Sequence, residues 1–239
     1  MRIDAKVQRL CVWSAAPFVL LFLAGLVLAG WMPPPHPNAS AADTARHYSE
    51  HRTGIRAGSL MIMMAGTLMV PFAVAIATLI RRIEPRHHPI AYLQLGAGAL
   101  VAVTFLVPTY FWMTAAFYPD VDPELLRLLN AAGWLPFLAA VPPAILQFLS
   151  VAAAAFADRR AEPLLPRWVG YFNVWVALLF LPALLVVFFD HGPFAWNGAF
   201  TFWLAAPVFM VWLVVMVVVM LRAIDREDAE VSAPAAAGL

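Results

Sequence analysis

Long apolar stretches alternate with short polar connections along the whole chain. Six of them hold about 20 or more mainly apolar residues, the length that crosses a hydrocarbon core of roughly 30 Å. None contains Asp, Glu, Lys, Arg or His in its interior. Because backbone polar groups must be paired inside lipid, the pattern predicts six membrane-spanning helices. They lie at about residues 12–31, 58–80, 90–117, 129–156, 168–189 and 200–221.

The composition agrees with lipid as the surrounding medium. Apolar residues make up 63% of the 239 positions and charged residues 12%, whereas a soluble domain holds roughly half and a quarter. We therefore expect an all-α, polytopic membrane protein. Its six-helix transmembrane bundle occupies residues 1–224, with an outer loop at about 32–57, and a polar, flexible tail follows at 225–239.

Every predicted span contains proline. Because proline lacks a backbone N–H and tends to bend or break a helix, we expect proline kinks in the bundle. Pro142 and Pro143 are adjacent near the middle of span four, which favours a broken helix that lines a cavity. The alternative is ordinary kinked packing, because proline is common in membrane helices.

Basic residues mark one side of the bundle. Lys and Arg in short loops are retained on the cytoplasmic side of a membrane. The termini and the second and fourth connections carry eleven of these residues, and the other connections carry four. We therefore predict that both termini are cytoplasmic, in a bacterial plasma (inner) membrane. A cleaved signal peptide ending near residues 39–41 is the alternative for the first segment, although its apolar run is long for a signal peptide.

Five tryptophans lie near predicted span ends, where aromatic side chains face the membrane interface. This position predicts an aromatic belt made of Trp31, Trp112, Trp134, Trp168 and Trp196.

The second and fourth connections share a sequence pattern. Arg-Arg-Ile-Glu-Pro at 81–85 is matched by Arg-Arg-Ala-Glu-Pro at 159–163. A parallel duplication of a helix pair produces such a match. Convergence is the other explanation, because arginines stop translocation and proline ends a helix at many inner turns.

Charge and cysteine content exclude several classes of function. The net charge is +1 and the 15 basic residues are scattered, so we exclude a nucleic-acid partner. Cys11 is the only cysteine, which rules out an intrachain disulfide and a cysteine-based zinc or iron–sulfur site. The sequence also contains no dinucleotide fingerprint, phosphate-binding glycine loop or nucleophile elbow, and it indicates no cofactor.

Weakly polar side chains within the spans are the candidates for ligand binding. An amide that faces the interior can orient a weakly polar ligand in an apolar pocket, and a proline break supplies space. We therefore predict a ligand site formed by Gln94, Trp134, Pro142, Pro143 and Gln147. The alternative is that these amides only form hydrogen bonds between helices.

The first outer loop carries the most chemically active side chains. Residues 41–52 contain enough helix formers for a short surface helix, on which His47 and His51 would share one face. Two imidazoles at this spacing can chelate one metal ion, and Glu50, or groups from other outer loops such as Asp190 and His191, would complete its shell. His47, Glu50 and His51 are thus a candidate zinc or copper site. The alternative is a solvated, charged surface.

Three functions fit these observations. The leading hypothesis is a protein that binds or transports a small, largely apolar molecule, because no span interior carries a charge. A non-catalytic scaffold or accessory subunit, with a membrane-protein partner, is the alternative. The third is a membrane enzyme that uses the outer histidines, although the sequence favours a protein that is not an enzyme. In each case the lipid bilayer is the immediate surrounding.

Overall fold

The computed structural model describes residues 3–84, 87–118 and 120–232, and within these ranges it contains helices and no strand. The regular elements in chain order are α1 (Ile3–Trp13), α2 (Ala15–Leu28), α3 (Ala41–Glu50), α4 (Arg52–Ile83), α5 (Pro89–Phe117), α6 (Pro123–Ala139), α7 (Pro142–Ala157), α8 (Arg167–Phe180), a 3-10 segment (Leu181–Phe188), a π segment (Ala199–Trp203) and α9 (Ala205–Ser232).

These elements form six spans that are long and apolar enough to cross a membrane, which confirms the prediction of six apolar helices. The chain thus fits a multi-pass membrane protein. The proline kinks and the orientation of the termini stay predictions. In order, the spans are Ala5–Leu28, Arg52–Ile83, Pro89–Phe117, Pro123–Ala157, Arg167–Phe188 and Ala199–Asp228.

The spans pack in a closed ring that follows the chain order. α2 packs on α4, α4 on α5, and α5 on both α6 and α7. α7 then packs on α8 and α8 on α9, while α9 returns to α1. Aromatic side chains fill much of the centre, where Phe18, Phe105 and Phe209 have ring centroids 5.2 to 6.3 Å apart.

Glycine allows the closest helix approach, between α2 and α4. A Cβ added to Gly25 would lie 2.7 Å from the carbonyl oxygen of Gly58, and one added to Gly58 would meet the carbonyl oxygen of Gly25. No side chain fits between the two backbones. Close backbone contact is a main source of helix association in lipid, where the hydrophobic effect is absent.

Ion pairs join the two ends of the chain at one face, called here the terminal face. The guanidinium of Arg9 on α1 lies 2.7 Å from Asp225 and 3.1 Å from Asp228 on α9. Arg82 at the end of α4 donates to Gln8 and pairs with Glu227. Helix α9 therefore continues past the predicted start of the polar tail at 225. The rest of that tail, 233–239, lies outside the described residues.

Two buried carboxylates organise the connections at the terminal face. Glu84 accepts from the backbone N–H groups of Ile90 and Ala91, both at 3.0 Å. Asp158 accepts from the N–H of Leu164 at 2.8 Å. The two turns are thus alike, but one acid follows its Arg-Arg pair in the sequence and the other precedes it. Glu162, the sequence match of Glu84, is exposed.

The opposite face, called here the loop face, is covered by the first and fifth connections. Helix α3 begins where Ser40 caps the N–H of Asp43, as expected for a short surface helix. The hydroxyl of Tyr48 on α3 donates to Asn130 on α6 at 3.1 Å. From the fifth connection, the indole N–H of Trp196 donates to the carbonyl of Pro35 at 2.7 Å.

Four of the five tryptophans predicted for the aromatic belt are buried instead, and one of them, Trp196, is 7% exposed at the loop face. Trp31, Trp112 and Trp134 have no exposed surface, and their ring centroids lie 4.5 to 5.5 Å apart. The prediction is wrong for these three because they pack on one another beneath the loop face. Trp168 is 51% exposed, as a belt residue should be.

Candidate functional site

Spans four, five and six all depart from regular α-helix. Span four is interrupted at residues 140–141, between α6 and α7. Span five changes from α-helix to the 3-10 segment at Leu181, and span six begins with the π segment before α9 starts at Ala205. Irregular backbone at membrane depth is tolerated only where it is buried in protein or lines a cavity. These three interruptions are therefore the first place to look for a site.

The proline pair explains the interruption in span four. Pro142 has no N–H, so it cannot donate to the carbonyl of Leu138 as a residue four positions later does in a continuous helix. Pro143 likewise cannot donate to the carbonyl of Ala139. The N–H of Val141 donates to that carbonyl instead, at 2.8 Å. Proline is favourable again in the first turn of α7, where no such N–H is needed.

The start of span six also leaves backbone groups without a regular helical partner. The N–H groups of Phe202 and Trp203 both donate to the carbonyl of Gly198, at 3.1 and 3.3 Å. Helix α9 begins two residues later, so the N–H groups of Ala205 and Ala206 lie in its first turn. Groups in the first turn have no acceptor within their own helix.

All three interruptions border one cavity, called here the membrane cavity, with a volume of about 100 Å³. Span four contributes Leu138, Ala140, Val141 and Ala144, and span five contributes Phe180 and Ala183. Its remaining lining residues are Phe22, Val101, Thr104, Phe105, Phe137, Thr201, Phe202, Ala205, Ala206, Phe209 and Met210. The walls are thus almost entirely apolar, and many of them are aromatic.

The membrane cavity also carries a few polar atoms. Thr104 donates its hydroxyl to the carbonyl of Val101 at 2.7 Å, and Thr201 donates to the carbonyl of Phe194 at 2.9 Å. Each hydroxyl oxygen still has lone pairs that can accept. A small number of polar groups within apolar walls is the usual composition of a ligand pocket.

The membrane cavity reaches the flank of the bundle between spans four and six. Leu138 and Ala140 on one side, and Ala205, Ala206 and Met210 on the other, are half-buried, whereas the rings of Phe22 and Phe209 behind them are buried. Lipid surrounds the flank of a membrane-spanning bundle. A molecule dissolved in the bilayer can therefore approach this opening without crossing water.

The predicted ligand residues lie next to the membrane cavity and do not line it. Pro142 and Pro143 form the break itself, and Trp134 belongs to the tryptophan cluster. Gln94 and Gln147 are fully buried. The structure therefore brings the prolines to the site and places the two amides apart from its walls.

Gln147 lies one helical turn below the cavity, towards the terminal face. A Cβ added to Gly98 would be 2.9 Å from Nε2 of Gln147. Gly98 lies three residues before the cavity-lining Val101, and Gln147 lies three residues after the cavity-lining Ala144. No hydrogen bond reaches the carboxamide of Gln147 or that of Gln94 from any described residue. Buried amides without partners are costly, so each of these groups needs a hydrogen-bonding partner that the described residues do not supply.

The predicted metal residues lie at the loop face. The rings of His47 and His51 are stacked with centroids 4.5 Å apart, and Nε2 of His47 is 3.1 Å from the carbonyl oxygen of Ala29. Burial, together with the neighbouring His51, lowers the pKa of His47. Within the described part of the chain, no three His, Cys, Asp or Glu side chains come together around one point. The metal site with Glu50 stays a prediction.

A second cavity, called here the loop-face cavity, has a volume of about 290 Å³. It lies at the loop face, between α3 and the N-terminal half of α6. Polar and charged side chains provide most of its lining, in contrast to the membrane cavity. The lining residues are Pro35, Ala39, Asp43, Thr44, Arg46, His47, Tyr48, Glu50 and Asn130.

Similarity to other proteins does not add to this description. No protein-family model matches the chain, nor does any curated protein or solved structure. The function is therefore argued from the cavities and the backbone alone.

Sequence reasoning missed the contribution of spans five and six. Thr201, Phe202, Ala205 and Ala206 sit where the π segment gives way to α9, and no apolar pattern distinguishes a π turn from an α turn. Pro182 and Pro207 are the only local signals near these two interruptions. The sequence contains both prolines, but nothing in it indicates that they lie near the Pro142–Pro143 break in the folded protein.

Proposed function

We propose that this protein binds a small, largely apolar molecule in the membrane cavity and takes it up from the bilayer. The observation that carries the proposal is that the interruptions of spans four, five and six all border this one cavity. Three departures from regular helix around one cavity cost free energy of folding, so they favour a functional role for that cavity. Discontinuous helices around a shared site are also how secondary transporters build their binding sites.

The lining and the volume limit what can bind. No charged side chain among the described residues lines the membrane cavity, so a charged molecule would lose its hydration without compensation. A cavity of about 150 Å³ in another protein holds benzene. A space of about 100 Å³ therefore encloses a group of at most about this size, such as one ring or the end of a chain. The opening towards lipid leaves room for the rest of a longer molecule.

We propose binding as the activity of this protein. The broken helices favour transport of the bound molecule as its purpose. The carboxamide of Gln147 would orient the polar group of a ligand, because it lies one turn below the cavity floor and has no hydrogen-bond partner among the described residues. Gln94 is a second such amide on α5. Pro142 and Pro143 maintain the break, and Trp134 supports it from the neighbouring turn of α6.

Toluene and p-cresol should raise the melting temperature of the purified protein in detergent, because a ligand that binds only the folded state stabilises it by mass action. Ala144→Phe should remove this rise by filling the cavity, since Ala144 lines it and is 6% exposed. Ala153→Phe is the matched control, because Ala153 is exposed on the same helix. Melting curves with and without each compound measure the effect.

Gln147→Leu separates the two compounds. It should weaken p-cresol about 3- to 10-fold, the value of one neutral hydrogen bond, and leave toluene unchanged. Equal effects on both compounds would remove Gln147 from the site. If neither compound stabilises the unmodified protein, the binding proposal fails and the scaffold hypothesis takes its place.

We also propose that the terminal face is cytoplasmic and that the membrane is a bacterial inner membrane. The support is the asymmetry of eleven basic residues against four. A reporter fused after Glu84 should be active only in the cytoplasm, and one fused after Asp43 only outside it. Reporter activity from the same compartment at both positions would show that the first loop and the second connection share a side.

A further inference from the structure

The loop-face cavity is separate from the membrane cavity. Asn130 lines the first and Phe137 lines the second, and these residues are about 10 Å apart along α6 by helical rise. The fully buried rings of Trp31, Trp112 and Trp134 fill the space between these levels. An occupant of the loop-face cavity therefore belongs to a different site from the apolar ligand.

A buried tyrosine fixes the floor of the loop-face cavity. Burial raises the pKa of Tyr48, so its hydroxyl keeps its proton and donates to Oδ1 of Asn130. This bond turns Nδ2 of Asn130 away from Tyr48. Asn130 is only 6% exposed, and within the described residues its Nδ2 has no acceptor. An amide N–H₂ without an acceptor on the wall of a cavity is a donor that can meet an anion in that cavity.

Charged groups of opposite sign stand one helical turn apart on the same wall. Arg46 and Glu50 are separated by about 6 Å of rise along α3, and both line the cavity. The guanidinium of Arg46 pairs with Asp43 at 2.5 Å, but both side chains are more than half exposed, and such pairs contribute little. The guanidinium of Arg46 can therefore leave Asp43 and pair with an anion that binds in the cavity.

The other end of the wall suits a cation. Glu50 forms no ion pair within the described residues. The lowered pKa of His47 keeps its ring neutral near pH 7, and a neutral imidazole retains one nitrogen that accepts. A carboxylate and an imidazole acceptor beside each other bind an ammonium group, which has three donors and no acceptor.

We propose that the loop-face cavity binds a small zwitterion that carries a phosphate and an ammonium group on a short linker. The phosphate meets Arg46 and Asn130, and the ammonium group meets Glu50 and His47. Donors from two elements, α3 and α6, suit a tetrahedral phosphate better than a planar carboxylate. This chemistry occurs both in a free solute and in the headgroup of a phospholipid, and α3 ends at Glu50, two residues before span two begins at Arg52.

The probe is phosphoethanolamine, titrated calorimetrically into the full-length protein in nanodiscs of phosphatidylglycerol. Ethanolamine and inorganic phosphate, which each carry one of the two charges, are titrated separately. The variants are Arg46→Gln and Glu50→Gln. The matched controls are Glu124→Gln and Arg127→Gln, because these residues form an exposed ion pair on α6 outside the cavity lining.

Phosphoethanolamine should bind, and it should bind more tightly than either half alone. Each cavity variant should weaken it about tenfold or more, as expected for one charge-assisted hydrogen bond, and neither control should change it. Adding phosphatidylethanolamine to the nanodisc identifies the source. Loss of the soluble signal assigns the site to the lipid headgroup, and an unchanged signal assigns it to a free solute.

Three results would overturn the proposal. The first is no binding heat from phosphoethanolamine in phosphatidylglycerol nanodiscs, and the second is binding to Arg46→Gln and Glu50→Gln that is as tight as binding to the unmodified protein. Inorganic phosphate that binds as tightly as phosphoethanolamine, with no effect of Glu50→Gln, would define a simple anion site. None of these results depends on the apolar ligand, which is tested in detergent with compounds that carry no charge.

Discussion

Gly58→Leu should prevent the first two spans from packing and should destabilise the protein by about 3 kcal/mol or more. Any side chain at this position meets the carbonyl oxygen of Gly25, and backbone cannot move aside as a flexible side chain can. We expect a large fall in melting temperature in detergent and loss of monodisperse protein on size exclusion.

The matched control is Gly96→Leu. Gly96 lies in α5, and a Cβ added there meets nothing within 4 Å. Leucine is also the better helix former by roughly 0.5 to 1 kcal/mol. The control should therefore melt at or slightly above the temperature of the unmodified protein. Equal melting temperatures for the two variants would mean that α2 and α4 do not pack at Gly25 and Gly58.

Asp158→Ala should cost about 2 to 4 kcal/mol, because it leaves buried N–H groups at the terminal face without an acceptor. The carboxylate side chain is 1% exposed, and it accepts from the backbone of Leu164 and Arg160 at 2.8 and 3.3 Å. The side chain of Arg160 also lies 3.6 Å from it. Chemical or thermal unfolding measured in one detergent gives the difference.

Glu162→Ala is the control for this experiment, and it also bears on the internal repeat. Glu162 matches Glu84 in the sequence pattern but is exposed, so its removal should change stability by less than about 0.5 kcal/mol. If Glu162→Ala were as destabilising as Asp158→Ala, the turn would depend on the acid that the repeat aligns. The expected result instead favours convergence, because two turns of common descent would keep their carboxylate at the same position.

The six spans could be predicted from the sequence because each is a local property. Length and the absence of charge decide whether a segment can cross lipid, and neither depends on the rest of the chain. The surface helix α3 was predicted for a similar reason, since residues 41–52 contain enough helix formers.

The shape of the site could not be predicted, because it depends on contacts between distant segments. The Pro142–Pro143 pair indicated a break in span four, yet nothing local shows that Thr201 and Ala183 border the same space. Trp134 is another example. Its place near a span end favoured a membrane interface, and only the packing of α2, α5 and α6 shows that it faces two other tryptophans.

The polar residues of the spans were identified, but their roles were not. Gln94 and Gln147 are the two amides that the sequence singled out, and neither has a hydrogen-bond partner among the residues that the structure describes. A displacement of one helical turn, or about 5 Å, along the helix axis determines whether an amide reaches a cavity. Sequence patterns do not resolve a distance this short. The proposed role of Gln147 therefore rests on its position beside Gly98 and not on its residue type.

The interrupted spans have a consequence for how the protein is made. Spans two and three are unbroken helices, so each can enter the bilayer with its backbone already paired. Spans four to six expose carbonyl and N–H groups at their interruptions, and lipid provides no hydrogen-bond partner for these groups. They reach a stable state only against each other and against α2 and α5. We therefore expect spans two and three to insert as independent helices, and spans four to six to complete their insertion by packing against helices that are already in the membrane.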